Sequence, residues 1–569
     1  MSKAIRVLVA ILLFAVPAFS STHAERIDAL ISAYNKLRQF NGSALVAEKG
    51  SVILEKGYGL ANMEWQIPNT PDTKFRVGSI TKQFSSMVVM QLVSEGKIKL
   101  DEKITTYLPD YRKDTGDKVT VRNLLTHTSG IPSYTSIPGF FQNQSRDPYT
   151  VADFVKKYTM GDLEFEPGSK FSYDNSGYFL LGAIIERVSG KSYEKNLQER
   201  IFDPLRMKDS GYDRSNTVIA HRASGYVLTP AGYENAPYLD MTIPFAAGSL
   251  YSTVVDLYKW DRALDTDKLL APELKKVVFT PNLNEYAFGW AVHKLKLDDK
   301  SEVNTISHDG GINGFNSTIV RFPDTQDLIA LLDNTSRGDR IDDLARGIAD
   351  ILHDVTPPQP RFSLVDELMK TLSTENGKQA VARYRELKAN APAQYDFREP
   401  ELNRLGYQLL QQGRVADAID IFQLNVDEHA ASWNVYDSLA EAYAAHGDRD
   451  LAIKNYKKSI ELNPKNTSGV EALKRLEQPA AAVDAATLDK YIGNYELARG
   501  FNLAITRVGN TLFAQATGQP RVEMAADSPT EFHILAVKAS ITFAPDGSAL
   551  TLHQNGRDLP AKRSDRLPH

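Results

Sequence analysis

Residues 43–55, Ser-Ala-Leu-Val-Ala-Glu-Lys-Gly-Ser-Val-Ile-Leu-Glu, place an apolar run on each side of Lys49-Gly50. That pattern predicts a β-hairpin. Further along, Ile80, Phe84, Met87, Val88 and Leu92 recur at helical spacing, and Phe179, Leu180, Ala183, Ile184 and Val188 do the same. Phe315–Phe322 reads as a strand. Short strands between separated helices predict α/β layers around a mostly antiparallel sheet for residues 25–356. Two seams interrupt the pattern, Thr356-Pro-Pro-Gln-Pro360 and Gln478-Pro-Ala-Ala-Ala482, where proline cannot continue a helix. Residues 357–478 read as helical, 479–486 as a linker and 487–569 as β-rich.

The helical segment repeats itself. Gln412-Gly413 with Ala418 matches His446-Gly447 with Ala452 at a spacing of 34 residues, and Asn376-Gly377 with Ala382 is a weaker copy 36 residues earlier. A 34-residue helix–turn–helix period resembles tetratricopeptide repeats. The resemblance leaves two readings open, a groove for a protein partner or a spacer between domains. In the last segment Asn502–Val508, Thr511–Gln515 and Ser540–Ala544 read as strands, with turns at Gly509-Asn510 and Pro545-Asp546-Gly547. These predict a small, closed or nearly closed barrel. Tyr491-Ile-Gly-Asn-Tyr495 near its start resembles the lipocalin-like domain appended to many serine hydrolases, and we read it as a structural appendage.

Composition excludes more than it selects. The 569 residues hold no cysteine, so thiolate catalysis, disulfides and Cys-ligated metals are out. The net charge of −5 carries no long like-charge run and argues against nucleic-acid binding. Lys3 and Arg6 precede an apolar run of 13 residues, Val7–Phe19, followed by Thr22-His23-Ala24. A membrane span needs roughly 20 apolar residues, so residues 1–24 are expected to be a secretory leader cut after Ala24. The expected location is periplasmic, with no stable membrane span after cleavage.

Oxygen and nitrogen groups must then carry any chemistry. Ser79-Ile80-Thr81-Lys82 fits Ser-x-x-Lys, whose spacing puts hydroxyl and amine on one helical face. Ser94-Glu-Gly-Lys97 and Ser192-Tyr-Glu-Lys195 share the spacing, but Ser94 closes a helix before Gly96 and Ser192 reads as a helix cap. Ser79 opens the strongest apolar helix of the region. Tyr173-Asp174-Asn175 lies just ahead of the second apolar helix, and a second Tyr-x-Asn occurs at Tyr233-Glu-Asn235. A nearby ammonium is expected to lower the Tyr173 pKa and let the phenol exchange protons. His308-Asp309-Gly310-Gly311 is the only His-x-Gly in the chain. Its glycines let backbone approach a substrate, and Asp309 is not expected to orient His308, because strand neighbours point to opposite faces.

Ser-x-x-Lys, Tyr-x-Asn and His-x-Gly in this order resemble the class C β-lactamase and penicillin-binding-protein-like serine hydrolases. Phe75–Lys82, Leu124-Leu-Thr-His-Thr-Ser-Gly-Ile131, Ala246–Thr253 and Phe288-Gly-Trp290 belong to the same resemblance, with His127 read as structural. It implies that Ser79 is acylated, that Lys82 takes its proton, and that Tyr173 is the partner acid/base. Asn175, His308, Gly310 and Gly311 would bind substrate, with the N–H groups of Ser79 and Gly311 forming an oxyanion hole, and no metal or other cofactor is implied. Where the lactamases carry Lys, this chain carries His308. A weaker cation there shifts the expected substrate from β-lactams toward D-amino-acid peptides, amides or small esters. The rival reading is a scaffold whose repeats function while the hydrolase domain is idle. A Gly-x-Ser-x-Gly α/β-hydrolase is unsupported.

Overall fold

The computed structural model describes residues 22–137, 139–478, 481–498, 501–519, 521–537, 539–554 and 557–564. Residues 1–21 of the expected leader lie outside the described residues. Thr22 to Ala24, which the expected cut would remove, begin the first helix, α1 (His23–Lys36), where Thr22 and Glu25 form a reciprocal capping box.

The predicted hairpin is β1 (Gly42–Glu48) and β2 (Ser51–Tyr58). Lys49 and Gly50 both have positive φ, as a two-residue turn between right-twisted strands requires. Among the elements that follow are α2 (Thr81–Ser94) and α3 (Asn175–Ser189), then β3 (Ala291–Lys296), β4 (Glu302–Ile312), β5 (Phe315–Phe322), β6 (Asp327–Asp333) and α4 (Gly338–Leu352). The strands form one antiparallel sheet in the order β3-β4-β5-β6-β1-β2.

Both faces of that sheet are covered, and the period-two alternation shows how. Leu45, Ala47, Leu328, Ala330 and Leu332 join the core that also holds α2 and α3, with the helix Val254–Leu264 lying on these strands. Ala44, Val46, Ile329 and Leu331 point toward Ile27, Leu30 and Ile31 of α1 and Leu344 and Ile348 of α4. Each fully buried Leu or Ile contributes about 1.5–3 kcal/mol, which makes the centre of the sheet a rigid platform. α3 is buried nearly all round, from Ser176 to Ile185, and runs from an Asp174 cap to Gly190 in the left-handed conformation.

Seven helices occupy residues 364–477. Gly413 and Gly447 end helices with positive φ, and Ala418 and Ala452 are fully buried, so these two copies are equivalent. The weaker copy is out of register. Gly377 starts a helix behind an Asn376 cap, and Ala380 is buried where Ala382 is exposed. An eight-stranded antiparallel barrel follows and closes by pairing Gly493–Ala498 with Arg557–Ser564. The stretch expected as linker already holds the start of a helix, Ala485–Tyr491, whose Leu488 and Tyr491 enter the barrel core. Among the described residues no helix is long and apolar enough to cross a membrane.

The three parts touch. Arg340, 3% exposed, donates to Glu401 at 2.5 Å, and Arg337 donates to both carboxylate oxygens of Asp366 at 2.8 Å. Ala525 and Leu535 of the barrel region pack on Ala440, Ala444, Ala472 and Leu476. The open end of the barrel, with Phe501 and Leu503, faces Ile137 and Tyr158 across a cavity of about 270 Å³.

Candidate active site

Phe75–Arg76 is a short strand, and the chain turns sharply after it. Gly78 has φ +49, and a Cβ there would lie 2.9 Å from the backbone N and O of Gly311. Only glycine lets the two segments run this close. Gly310 is equally confined, because a Cβ would fall 2.1 Å from the Val77 carbonyl oxygen. β3 pairs β4 only as far as Ser307, so the next residues of β4 present their other edge to Val77–Ser79. Ser79 sits in a single 3-10 turn, Gly78–Ile80, that leads into α2.

Lys82 is fully buried, and its Nζ has three partners: Ser79 Oγ at 2.9 Å, Asn175 Oδ1 at 2.9 Å and the Ala247 carbonyl at 2.8 Å. The two carbonyl-type oxygens can only accept. They fix two N–H bonds of the amine and aim its third position, hydrogen or lone pair, at Ser79. Burial pushes the Lys82 ammonium down to about 7, and the Asp174 carboxylate opposes that. A neutral amine with its lone pair on Ser79 Oγ is therefore populated near neutral pH.

Tyr173 is placed by His127. The backbone carbonyl of His127 accepts from the Ser172 N–H at 2.9 Å, and its Nδ1 accepts from the Asp174 N–H at 3.0 Å. Its ring lies 4.2 Å from that of Tyr173, centroid to centroid. His127 reaches both contacts from a left-handed backbone, φ +55, that a non-glycine residue holds only when its surroundings enforce it. As Nδ1 accepts, the proton is on Nε2, which has no hydrogen-bond partner among the described residues. The Lys82 Nζ stands 4.9 Å from the Tyr173 ring centre. The expected lowering of the phenol pKa does not occur. Desolvation of the hydroxyl raises it although the residue is 38% exposed, and a hydrogen bond to Ser79 only partly offsets this, so Tyr173 stays a neutral phenol at ordinary pH.

Ser79, Lys82, Tyr173 and Asn175 are thus brought together. Ser79, Asn175 and Gly311 line a cavity of about 390 Å³ with Tyr134, Phe141 and Asn316. The Asn175 amide is engaged already, its oxygen on Lys82 and its Nδ2 donating to Thr135 Oγ1 at 3.3 Å. His308 is outside that lining and 7% exposed. Its Nδ1 donates to the Asp309 carbonyl at 2.6 Å, so Nε2 accepts from the Tyr286 hydroxyl at 2.8 Å. Burial and the Lys82 charge push it down to about 3, so it is a neutral imidazole. The Asp309 side chain accepts from Thr318 at 2.5 Å and does not orient the ring. Tyr233 lies in a separate hairpin, Ser94 ends α2, and Ser192 caps a short helix.

The motif order, the sheet and this geometry coincide with one known group. A family profile named Beta-lactamase matches residues 27–353. The chain belongs to the beta-lactamase family. It is a serine hydrolase of the superfamily that includes β-lactamases, DD-peptidases and esterases. Penicillin-binding protein 4* of Bacillus subtilis is 29% identical over 331 residues, which are 54% of this chain and 71% of that one. The D-amino acid amidase of Ochrobactrum anthropi SV3, solved with L-phenylalanine amide, is 26% identical with a TM-score of 0.51, covering 58% of this chain and 99% of that one. An octameric penicillin-binding protein homologue from Pyrococcus abyssi shares the fold along 95% of this chain and 99% of its own, at 19% identity and a TM-score of 0.50.

Sequence reasoning missed two members of this beta-lactamase-family site. Asp174, 3% exposed, accepts from the Gly177 N–H at 2.9 Å and from Ser129 Oγ at 3.0 Å, and burial pushes it up to about 7. Asp three residues ahead of Gly177 at the head of an apolar helix is a cap signal, but nothing local says that the cap faces Lys82. The second is the Ala247 carbonyl, which no side-chain motif reveals.

Proposed function

We propose that this chain is an exported hydrolase that cleaves D-amino-acid peptides or amides, or small esters, through an acyl-enzyme on Ser79. The three-point seat of Lys82 carries the reading. Neutral Lys82 accepts the Ser79 Oγ proton as Oγ attacks the carbonyl carbon, and the oxyanion forms beside the N–H groups of Ser79 and Gly311. Lys82 returns the proton through the neutral phenol of Tyr173 to the departing amine or alcohol. Water then attacks the acyl-Ser79 ester with Lys82 again taking the proton, and as the acyl C–Oγ bond breaks Lys82 returns that proton to Ser79 Oγ, releasing the acid.

Two observations support the substrate class. The amidase relative acts, by its name, on D-amino acid amides, and neutral His308 supplies no cation beside the nucleophile for a β-lactam carboxylate. The intact Ser79–Lys82–Tyr173 contact set speaks against an idle scaffold. We read the helices of residues 364–477 as tetratricopeptide-like and the barrel as lipocalin-like, with the former open to a protein partner and residues 1–24 as the export leader.

The test is hydrolysis of nitrocefin, p-nitrophenyl acetate and butyrate, D-Ala-p-nitroanilide and a D-Ala-D-Ala peptide by wild type and Ser79→Ala. Ser79-dependent turnover of the D-alanyl or ester substrates exceeding that of nitrocefin is expected, with thermal stability changed by less than about 0.5 kcal/mol. Full turnover by Ser79→Ala, or none by wild type, ends the reading.

A further inference from the structure

A positive charge missing at position 308 is present in an adjoining cleft. That cleft, about 320 Å³, meets the active-site cavity at Leu239 and Asn313, which line both. Arg76 and Arg222 line it too. They share a single carboxylate: Arg76 Nε donates to Asp213 Oδ2 at 2.6 Å and Arg222 Nη1 to Asp213 Oδ1 at 2.7 Å. The Asp213 side chain is completely buried, whereas those of Arg76 and Arg222 are 15% and 27% exposed.

One arginine suffices to neutralise a buried aspartate. The second leaves an excess charge of one on the cleft wall, and among the described residues no Asp or Glu lines that wall. The neighbouring Lys74 is matched by Asp209 at 3.2 Å. Asp240 behind Tyr238 is turned into its own loop by the Thr242 N–H and hydroxyl at 3.0 and 2.6 Å. Both guanidiniums are held in place, Arg76 5.9 Å from the Phe315 ring centre and Arg222 on backbone that pairs with Lys74. Each has further N–H groups in a planar fork suited to an oxyanion.

We propose that this cleft is a subsite for an anionic group, carboxylate or phosphate, that the substrate carries away from the bond attacked by Ser79. The inference rests on the Ser79 acyl-enzyme reading and names its substrate class. Three Cα–Cα steps separate Arg76 and Ser79, at most about 10 Å, so the anion belongs one to two peptide residues from the scissile carbonyl. A flexible acyl peptide with a free terminal carboxylate spans this, whereas a fused β-lactam keeps its carboxylate close to the reacting carbonyl.

The experiment compares p-nitrophenyl butyrate with p-nitrophenyl esters ending in a carboxylate or a phosphonate, in wild type, Arg222→Gln and Arg222→Lys. The expected wild-type preference for an anionic ester weakens as salt rises. Arg222→Gln should lower the anionic-to-neutral ratio of kcat/KM about tenfold, through KM, and Arg222→Lys should restore part of it. The two anionic arms show whether carboxylate or phosphate is preferred. A ratio altered less than about twofold in Arg222→Gln overturns the subsite while the hydrolase reading stands. If that variant does not fold, glutarate inhibition of butyrate hydrolysis by wild type decides: salt-sensitive competitive inhibition supports the subsite, and none overturns it. Absence of Ser79-dependent hydrolysis of every ester is instead a failure of the acyl-enzyme reading.

Discussion

Lys82 and Asp174 are both buried, and the Asp174 carboxylate opposes the burial that lowers the Lys82 pKa. Asp174→Asn keeps a good helix cap but removes the anion that favours the Lys82 ammonium. The neutral amine then persists to lower pH, so the acid limb of kcat/KM, centred near 7 in wild type, should move down by about one unit. A pH–rate profile of both proteins checks this. A second prediction separates the two glycines of the His-x-Gly strand. Gly310→Ala drives a methyl to 2.1 Å from the Val77 oxygen and 2.4 Å from Ser317 Oγ, whereas the Gly311 position meets only Asn316 Oδ1, at 3.7 Å. Urea denaturation should show Gly310→Ala destabilised by about 1–3 kcal/mol, with its kcat depressed as Ser79 shifts. Gly311→Ala should keep its stability and lose activity through its place in the cavity.

At the level of elements, α4 does two jobs. Leu344 and Ile348 cover the sheet, and Arg337 and Arg340 fasten the helical segment that follows. Arg340→Ala leaves Glu401, 2% exposed, without its principal counter-charge. Urea denaturation should show a loss of about 3–5 kcal/mol, and Arg340→Met a smaller one because it refills the volume. The periodicities of α2 and α3 were legible because an apolar face recurs within each turn. The weaker repeat was misaligned for a tertiary reason. Gly377 packs against Asp417 and Asp420 and donates its N–H to Asp417 at 2.6 Å, a demand unlike the left-handed turn that Gly413 and Gly447 serve.

The whole molecule joins these parts around the cavity. The segment from Ile131 to Gln144 supplies Thr135 and Phe141 to the active site and Ile137 to the contact with the barrel. A Cβ on Gly139 would come within 3.7 Å of the Phe501 ring. A chain ending at residue 478 bares that wall together with the Ala440–Leu476 patch. It should show a lower melting temperature and a KM for p-nitrophenyl butyrate that rises more than kcat falls, because Ser79 and Lys82 sit on the 3-10 turn and α2, outside the barrel contact. Unchanged KM would mean that the barrel does not brace the cavity.

The hairpin at Lys49-Gly50, the apolar helices and the order of Ser79, Tyr173 and His308 were legible in the chain alone. Each depends on residues within a turn or two, where steric and hydrophobic periodicity act locally. The protonation states of those groups were set by packing between distant segments. Tyr173 is a neutral phenol because its hydroxyl is desolvated beside the His127 and Tyr286 rings, and His308 is neutral because it is buried and near the Lys82 charge. Lys82 is poised near neutrality by burial, which Asp174 opposes, and is aimed by a carbonyl 165 residues distant. Proton affinity follows burial and the charges that converge at a point, and convergence from separate segments has no signature in local spacing. The Arg76–Asp213–Arg222 cluster, assembled from residues up to 146 positions apart, arises in the same way.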